Sequence, residues 1–159
     1  MRTIKNIVVH CTATPTDATV TAICRYWREQ LGWKNPGYHY IILRDGSIDQ
    51  LLDEELIANG VAGHNADSIH VAYIGGIDKD GKPIDNRSDM QRHTLFDILV
   101  WLCEKHQSAH IVGHRDFPGV SKACPCFDVR EWLRYYVPPV IENINKIEDE
   151  DEPELSPAA

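Results

Sequence analysis

Three side chains in this sequence are of the types that could together hold a metal ion. His10 follows the short apolar run Ile7-Val8-Val9, His114 follows Ile111-Val112-Gly113, and Cys124 lies in the loop Lys122-Ala123-Cys124-Pro125. Both histidines fall at the ends of expected strands. A strand end is a rigid platform that opens into loops, where sites usually form. Two imidazoles and a thiolate suit Zn²⁺, and three protein ligands leave a fourth position open for water, the pattern of a catalytic rather than a structural centre. Spacing alone leaves a second reading open, in which the histidines are satisfied polar residues and Cys124 is a small buried hydrophobe.

The remaining histidines and cysteines are weaker candidates. Cys11 directly follows His10 on a strand, so its side chain points to the opposite face and belongs to the core. Cys24 and Cys103 fall within helical patterns and are packing residues. Cys126, two positions after Cys124, could compete for the metal or enter a disulfide under oxidation. His39 alternates away from Tyr38. His70, in Ser68-Ile69-His70-Val71, adds a groove-facing or packing group, and His93, His106 and His110 are read as surface or supporting residues.

The elements that must position these groups are legible from periodicity. Residues 4–10 are β-rich and read as a strand buried on both faces. Val20, Ile23, Trp27 and Leu31 recur at helical spacing, with Gly32 as the stop. Residues 38–43 and 48–52 read as strands joined by the hairpin turn Arg44-Asp45-Gly46-Ser47. Residues 70–74 form another strand ended by Gly75-Gly76. Ser88 and Gln91 have the spacing of a capping box, and the helix behind them aligns Leu95, Ile98, Leu99 and Leu102. Residues 110–113 are a short strand, and Asp128 caps a last helix expected through Tyr136 and stopped by Pro138-Pro139. Strands alternating with helices predict an α/β fold: a single domain with a central mixed β-sheet flanked by helices.

The chain has 159 residues and a formal net charge of −8. From Glu142 onward there are seven acids and one lysine, so most of that charge belongs to the end of the chain. Residues 1–139 are expected to form the catalytic domain, and residues 140–159 an acidic, disordered tail, because a run such as Glu148-Asp149-Glu150-Asp151-Glu152 repels itself and buries nothing. No basic patch argues for nucleic acid, and acidity opposes a polyanionic partner. No run approaches the roughly 20 apolar residues of a membrane span. The first residues lack the apolar core of a signal peptide, which predicts synthesis in the cytoplasm. Five cysteines without a secretory context read as reduced thiols.

Four separated segments then change the weight of the metal reading. Val8-Val9-His10-Cys11-Thr12-Ala13-Thr14, Gly37-Tyr38-His39-Tyr40-Ile41-Ile42 with Asp45-Gly46, Gly113-His114-Arg115-Asp116, and Lys122-Ala123-Cys124-Pro125 ending in Phe127-Asp128 occur in this order. Together they resemble the type-2 N-acetylmuramoyl-L-alanine amidases, the family of phage lysozyme-amidases and peptidoglycan recognition proteins, with small phage-type enzymes most similar. The resemblance implies one Zn²⁺ held by His10, His114 and Cys124, and catalytic roles for Tyr38 and Lys122. It also places His64, in Gly63-His64-Asn65, in a loop bordering the substrate groove. The implied reaction is hydrolysis of the amide between N-acetylmuramic acid and L-alanine of peptidoglycan. Amide hydrolysis needs an activated water, a polarised carbonyl and a proton for the leaving amine, and zinc can supply the first two. Tyr38 and Lys122 are natural donors to the oxyanion.

Some relatives bind peptidoglycan without cutting it, and a phage-type relative also binds an RNA polymerase. Those alternatives predict a binding module or a regulator, but Cys124, Tyr38 and Lys122 are all present and favour an enzyme. The expected partner is a muropeptide or intact wall, reached after release or lysis, with the chain acting as a monomer.

Overall fold

The computed structural model describes residues 1–135. The acidic segment 140–159 lies outside the described residues. Five strands form one mixed sheet in the order β3-β2-β4-β1-β5. They are β1 (Asn6–Cys11), β2 (Tyr40–Ile42), β3 (Ile48–Gln50), β4 (Ser68–Tyr73) and β5 (His110–Gly113). β1 pairs in parallel with both β4 and β5, β2 pairs in parallel with β4, and β3 returns antiparallel beside β2. β1 and β4 are therefore interior strands. Both are buried on both faces, which fits the apolar run Ile7-Val8-Val9 in β1, while β4 buries the polar Ser68 and His70 as well.

Side chains alternate across this sheet. Ile7, Val9 and Cys11 of β1, with Ile69, Val71 and Tyr73 of β4, enter the main core. That core is closed by α2 (Asp89–Lys105), which buries Leu95, Ile98, Leu99 and Leu102 as its spacing demands. Ser88 and Gln91 make the expected reciprocal capping box. The opposite face is covered only in part. There α1 (Val20–Glu29) packs Ile23 and Trp27 against Ile41 and Ile74. Thr19 caps α1, and Gly32 adopts φ +66° beyond its end. His10, which alternates with Val9 and Cys11 of the main core, lies on this second face.

Several boundaries differ from expectation. β1 runs to Cys11, so His10 lies inside the strand. β2 starts at Tyr40 rather than Tyr38, although His39 N–H still donates to the His70 carbonyl of β4 at 2.9 Å. The last helix, α3, spans only Val129–Leu133 with Asp128 as its cap, ending before Tyr136. Among the described residues no helix is long and apolar enough to cross a membrane.

Glu54 ties the loop after β3 to α2. Its carboxylate, 8% exposed, accepts from Tyr40 Oη at 2.5 Å, Lys105 Nζ at 2.9 Å and His106 Nε2 at 3.0 Å. Burial pushes this carboxyl's pKa up, but the hydrogen bonds from Tyr40, Lys105 and His106 outweigh it and hold the pKa below its ordinary value. A folded-state pKa below the unfolded value of about 4.3 means the contribution is complete above that pH and is lost as pH falls through the folded value. Glu54→Gln should cost about 1.5–3 kcal/mol at pH 7 in urea unfolding. The difference from the parent chain should shrink when the same titration is run below about pH 4.

Candidate metal centre and catalytic groove

Parallel pairing of β1 with β5 places residues from opposite ends of the chain side by side, with Val9 opposite Gly113. His10 is the next residue on β1, and His114 opens a short 3-10 turn, His114–Asp116, immediately beyond β5. The turn is pinned by Gly113 N–H, which donates to Asp116 Oδ2 at 2.7 Å. The His10 and His114 rings come to 4.8 Å between centroids. Cys124 is brought in by a second tie: Arg115 N–H donates to the Cys124 carbonyl at 2.9 Å. The loop then turns through Pro125 and Cys126, with Cys126 N–H bonded to the Ala123 carbonyl at 2.7 Å and Tyr73 Oη donating to the Pro125 carbonyl at 2.7 Å.

His10, His114 and Cys124 each present one donor atom, and these atoms lie within 4.8 Å of one another. The Cys124 Sγ to His10 Nδ1 distance is 3.8 Å. Tetrahedral zinc with ordinary Zn–N and Zn–S bonds separates two such ligand atoms by about 3.6 Å, so the donor set and its spacing fit that ion. Cys124 Sγ also accepts Cys11 N–H at 3.2 Å, a bond suited to a sulfur carrying negative charge. Burial holds the His10 pKa well below its ordinary value, reinforced by the charges of His70, His114 and Lys122. Burial likewise lowers that of His114, with Lys122 adding to it. Neutral imidazoles keep the lone pairs that a metal needs.

The three donors sit at the floor of a groove of about 770 Å³. Tyr38 and Lys122 line the same groove. The Tyr38 ring lies 5.0 Å from that of His10, and its hydroxyl donates to the Cys11 carbonyl at 3.2 Å. Burial, then the charges of Cys124 and Cys11, push its pKa well above the ordinary value, so the hydroxyl keeps its proton. One wall is aromatic. Trp27 meets Tyr38 edge-on at 5.2 Å and stacks on Trp33 at 6.4 Å. Tyr26 and Leu31 extend this wall and remain exposed. The helical spacing that groups Trp27 with Leu31 carries no sign of a groove wall; α1 ends at Glu29, and Leu31 lies beyond it, exposed.

The other candidates separate cleanly. Cys126 turns away from the three donors: its thiol meets the Gly76 carbonyl at 3.3 Å and Cys11 Sγ at 3.7 Å. Burial pushes its pKa up to about 12, with Cys11 adding to the rise. Cys11 is core, 3% exposed, as its alternation requires. His64 is exposed, and its ring packs on Phe117 at 4.7 Å between centroids, while Asn59 and Gly60 just before its loop line the groove. His106 serves Glu54, as described above. His70, whose place the sequence left open, is fully buried beneath His10, with Nδ1 at 2.9 Å from His10 Nε2. Burial, then the charges of His39, His114 and Arg2, hold its pKa near 3.

With this geometry established, comparison with known proteins places the chain. The family model described as N-acetylmuramoyl-L-alanine amidase matches residues 1–127. The endolysin of Klebsiella phage KP32 is 38% identical over 128 residues, covering 79% of this chain and 83% of that one. The endolysin of Escherichia phage T7 is 38% identical over 127 residues, with coverage of 79% and 83%. Among solved structures, the Ph2119 endolysin from the Thermus scotoductus MAT2119 bacteriophage Ph2119 superposes with a TM-score of 0.70 at 26% identity, covering 90% of this chain and 86% of that one. The mixed sheet, the groove at its open face and these similarities agree, and the chain belongs to the N-acetylmuramoyl-L-alanine amidase family.

Proposed function

We propose that this chain is a zinc-dependent amidase that hydrolyses the bond between N-acetylmuramic acid and L-alanine in bacterial peptidoglycan, and that it acts as an endolysin. The observation that carries this reading is the convergence of His10, His114 and Cys124 at the floor of one groove that Tyr38 and Lys122 also line. The relatives named endolysins support the biological setting. In that setting the chain meets the wall after release from the cell that made it.

His10 Nδ1, a ring nitrogen of His114 and Cys124 Sγ would hold the zinc. When bound, zinc supplies an activated water and Lewis acidity toward the amide carbonyl. The chain's own residues do the rest. The groove walls orient the glycopeptide, with Trp27 and Trp33 offering apolar surface to its sugar and peptide faces. Tyr38 retains its proton, and its hydroxyl, turned from the Cys11 carbonyl it donates to in the free groove, donates a hydrogen bond to the oxyanion that develops as the carbonyl is attacked. Lys122, exposed on the same groove, places an ammonium charge against that oxygen. The leaving nitrogen must gain a proton, and Tyr38 or Lys122 supplies it directly or through a water. Both residues stabilise the transition state first and transfer a proton second.

Mass spectrometry of digested peptidoglycan tests the reading. Free stem peptides with an L-alanine amino terminus should appear, and a chelator should abolish them. The Cys124→Ser chain should carry strongly reduced zinc by elemental analysis. Glycan-strand cleavage instead of peptide release, or full activity after metal removal, would sink the proposal.

Tyr38→Phe removes only the hydroxyl. It should lower kcat on a soluble muropeptide by about 100- to 1000-fold with little change in KM, while zinc content stays intact. Full kcat in that variant would return Tyr38 to the role of a packing aromatic.

On this reading the catalytic unit spans residues 1–139, since every proposed site residue precedes the acidic segment. A chain ending at Val140 should keep near-normal activity on purified wall. A large loss with circular dichroism unchanged would show that the acidic segment contributes to the groove.

A further inference from the structure

We propose that His70 is a positioning residue for His10, accepting the His10 Nε2–H and so fixing the tautomer and ring orientation that turn His10 Nδ1 toward Cys124 and His114. This rests on the zinc reading above. The two ends of the His10 ring are assigned to different tasks: Nδ1 lies 3.8 Å from Cys124 Sγ, and Nε2 lies 2.9 Å from His70 Nδ1. A neutral imidazole has one N–H and one lone pair. If the Nδ1 lone pair faces a cation, the proton must sit on Nε2, and His70 Nδ1 is the acceptor within reach. An acceptor on the far nitrogen of a ligating histidine sets its orientation and raises its basicity.

His70 is built into this position rather than resting there. It follows Ile69 on β4, on the sheet face that His10 shares, with Val8 as its register partner on β1. Its backbone N–H donates to His39 Nδ1 at 3.0 Å. That bond makes Nδ1 of His39 the acceptor and Nε2 the N–H, which donates to the Leu56 carbonyl at 3.0 Å. The His39 ring stacks on His70 at 5.9 Å and 9°. On another side the backbone of Gly60 closes in: a Cβ there would stand 2.3 Å from His70 Nδ1, so any side chain at position 60 would displace the ring. Arg2 braces the same region from below, donating to the carbonyls of Glu54, Asn65, Ala66 and Ser68.

One feature weighs against simple packing. With its Nδ1 accepting from His10, His70 must carry its own proton on Nε2, and that nitrogen is buried without a hydrogen-bond partner among the described residues. An apolar side chain would fill the space without that unmet donor. The imidazole is explained if its other nitrogen is required.

Three variants of the full chain test this. His70→Leu fills the ring's volume without an acceptor, His70→Ala removes both, and His70→Asn keeps an acceptor, Oδ1, near the place of Nδ1. Zinc dissociation constants are measured by chelator competition, alongside circular dichroism and the absorption spectrum of the Co²⁺-substituted chain. Leu and Ala should weaken zinc binding by about 10- to 100-fold and alter the Co²⁺ spectrum, while Asn restores both toward the parent. Parent-like zinc affinity in the Leu or Ala variant, or an Asn variant as weak as Leu, overturns the proposal. A parent chain that binds no zinc overturns the metal reading itself, and this inference with it.

Discussion

The site depends on one constraint: three donor atoms from residues 10, 114 and 124 must meet around a single point while the backbone that carries them stays hydrogen-bonded. Parallel pairing of β1 with β5 solves most of it. That pairing sets Gly113 opposite Val9, so the residues that follow each of them, His114 and His10, emerge together at one end of the sheet. The remaining donor arrives on a loop, and loops need ties. Arg115 N–H to the Cys124 carbonyl and Cys11 N–H to Cys124 Sγ supply them, one from the far side of the site and one from the strand beneath it.

Burial then decides the charge state of the groups that line the groove. His10 is 1% exposed, and desolvation keeps it neutral. The same desolvation keeps Tyr38 protonated. One physical effect thus yields lone pairs where a cation would bind and a proton where an oxyanion would form. Lys122 stays exposed at the rim beside them. The division into a buried floor and a wet rim follows from the uneven cover of the sheet. α2 and the short α3 pack over one face, whereas on the other α1 packs around Ile41 and Ile74.

The sequence by itself determined the elements and the identities of the candidate ligands. The apolar run Ile7-Val8-Val9 marked β1 as buried, the Leu95, Ile98, Leu99 and Leu102 stripe marked α2, and Ser88 with Gln91 marked its start, because these signals are local and depend only on backbone period and side-chain type. His10, His114, Cys124, Tyr38 and Lys122 were legible because they stand in ordered motifs. Only the tertiary structure decided which side chains meet. Alternation put Cys11 in the core from sequence alone, but nothing local told Cys126 to face Cys11 rather than the donors; the turn through Pro125 did that. The packing of His64 on Phe117 joins two loops far apart in sequence, and such a contact has no local signal. His70 lies 60 residues from His10 in sequence and one strand away in space. Strand order and register are long-range properties, so the contact between those two rings could be read only once β4 was seen to lie beside β1.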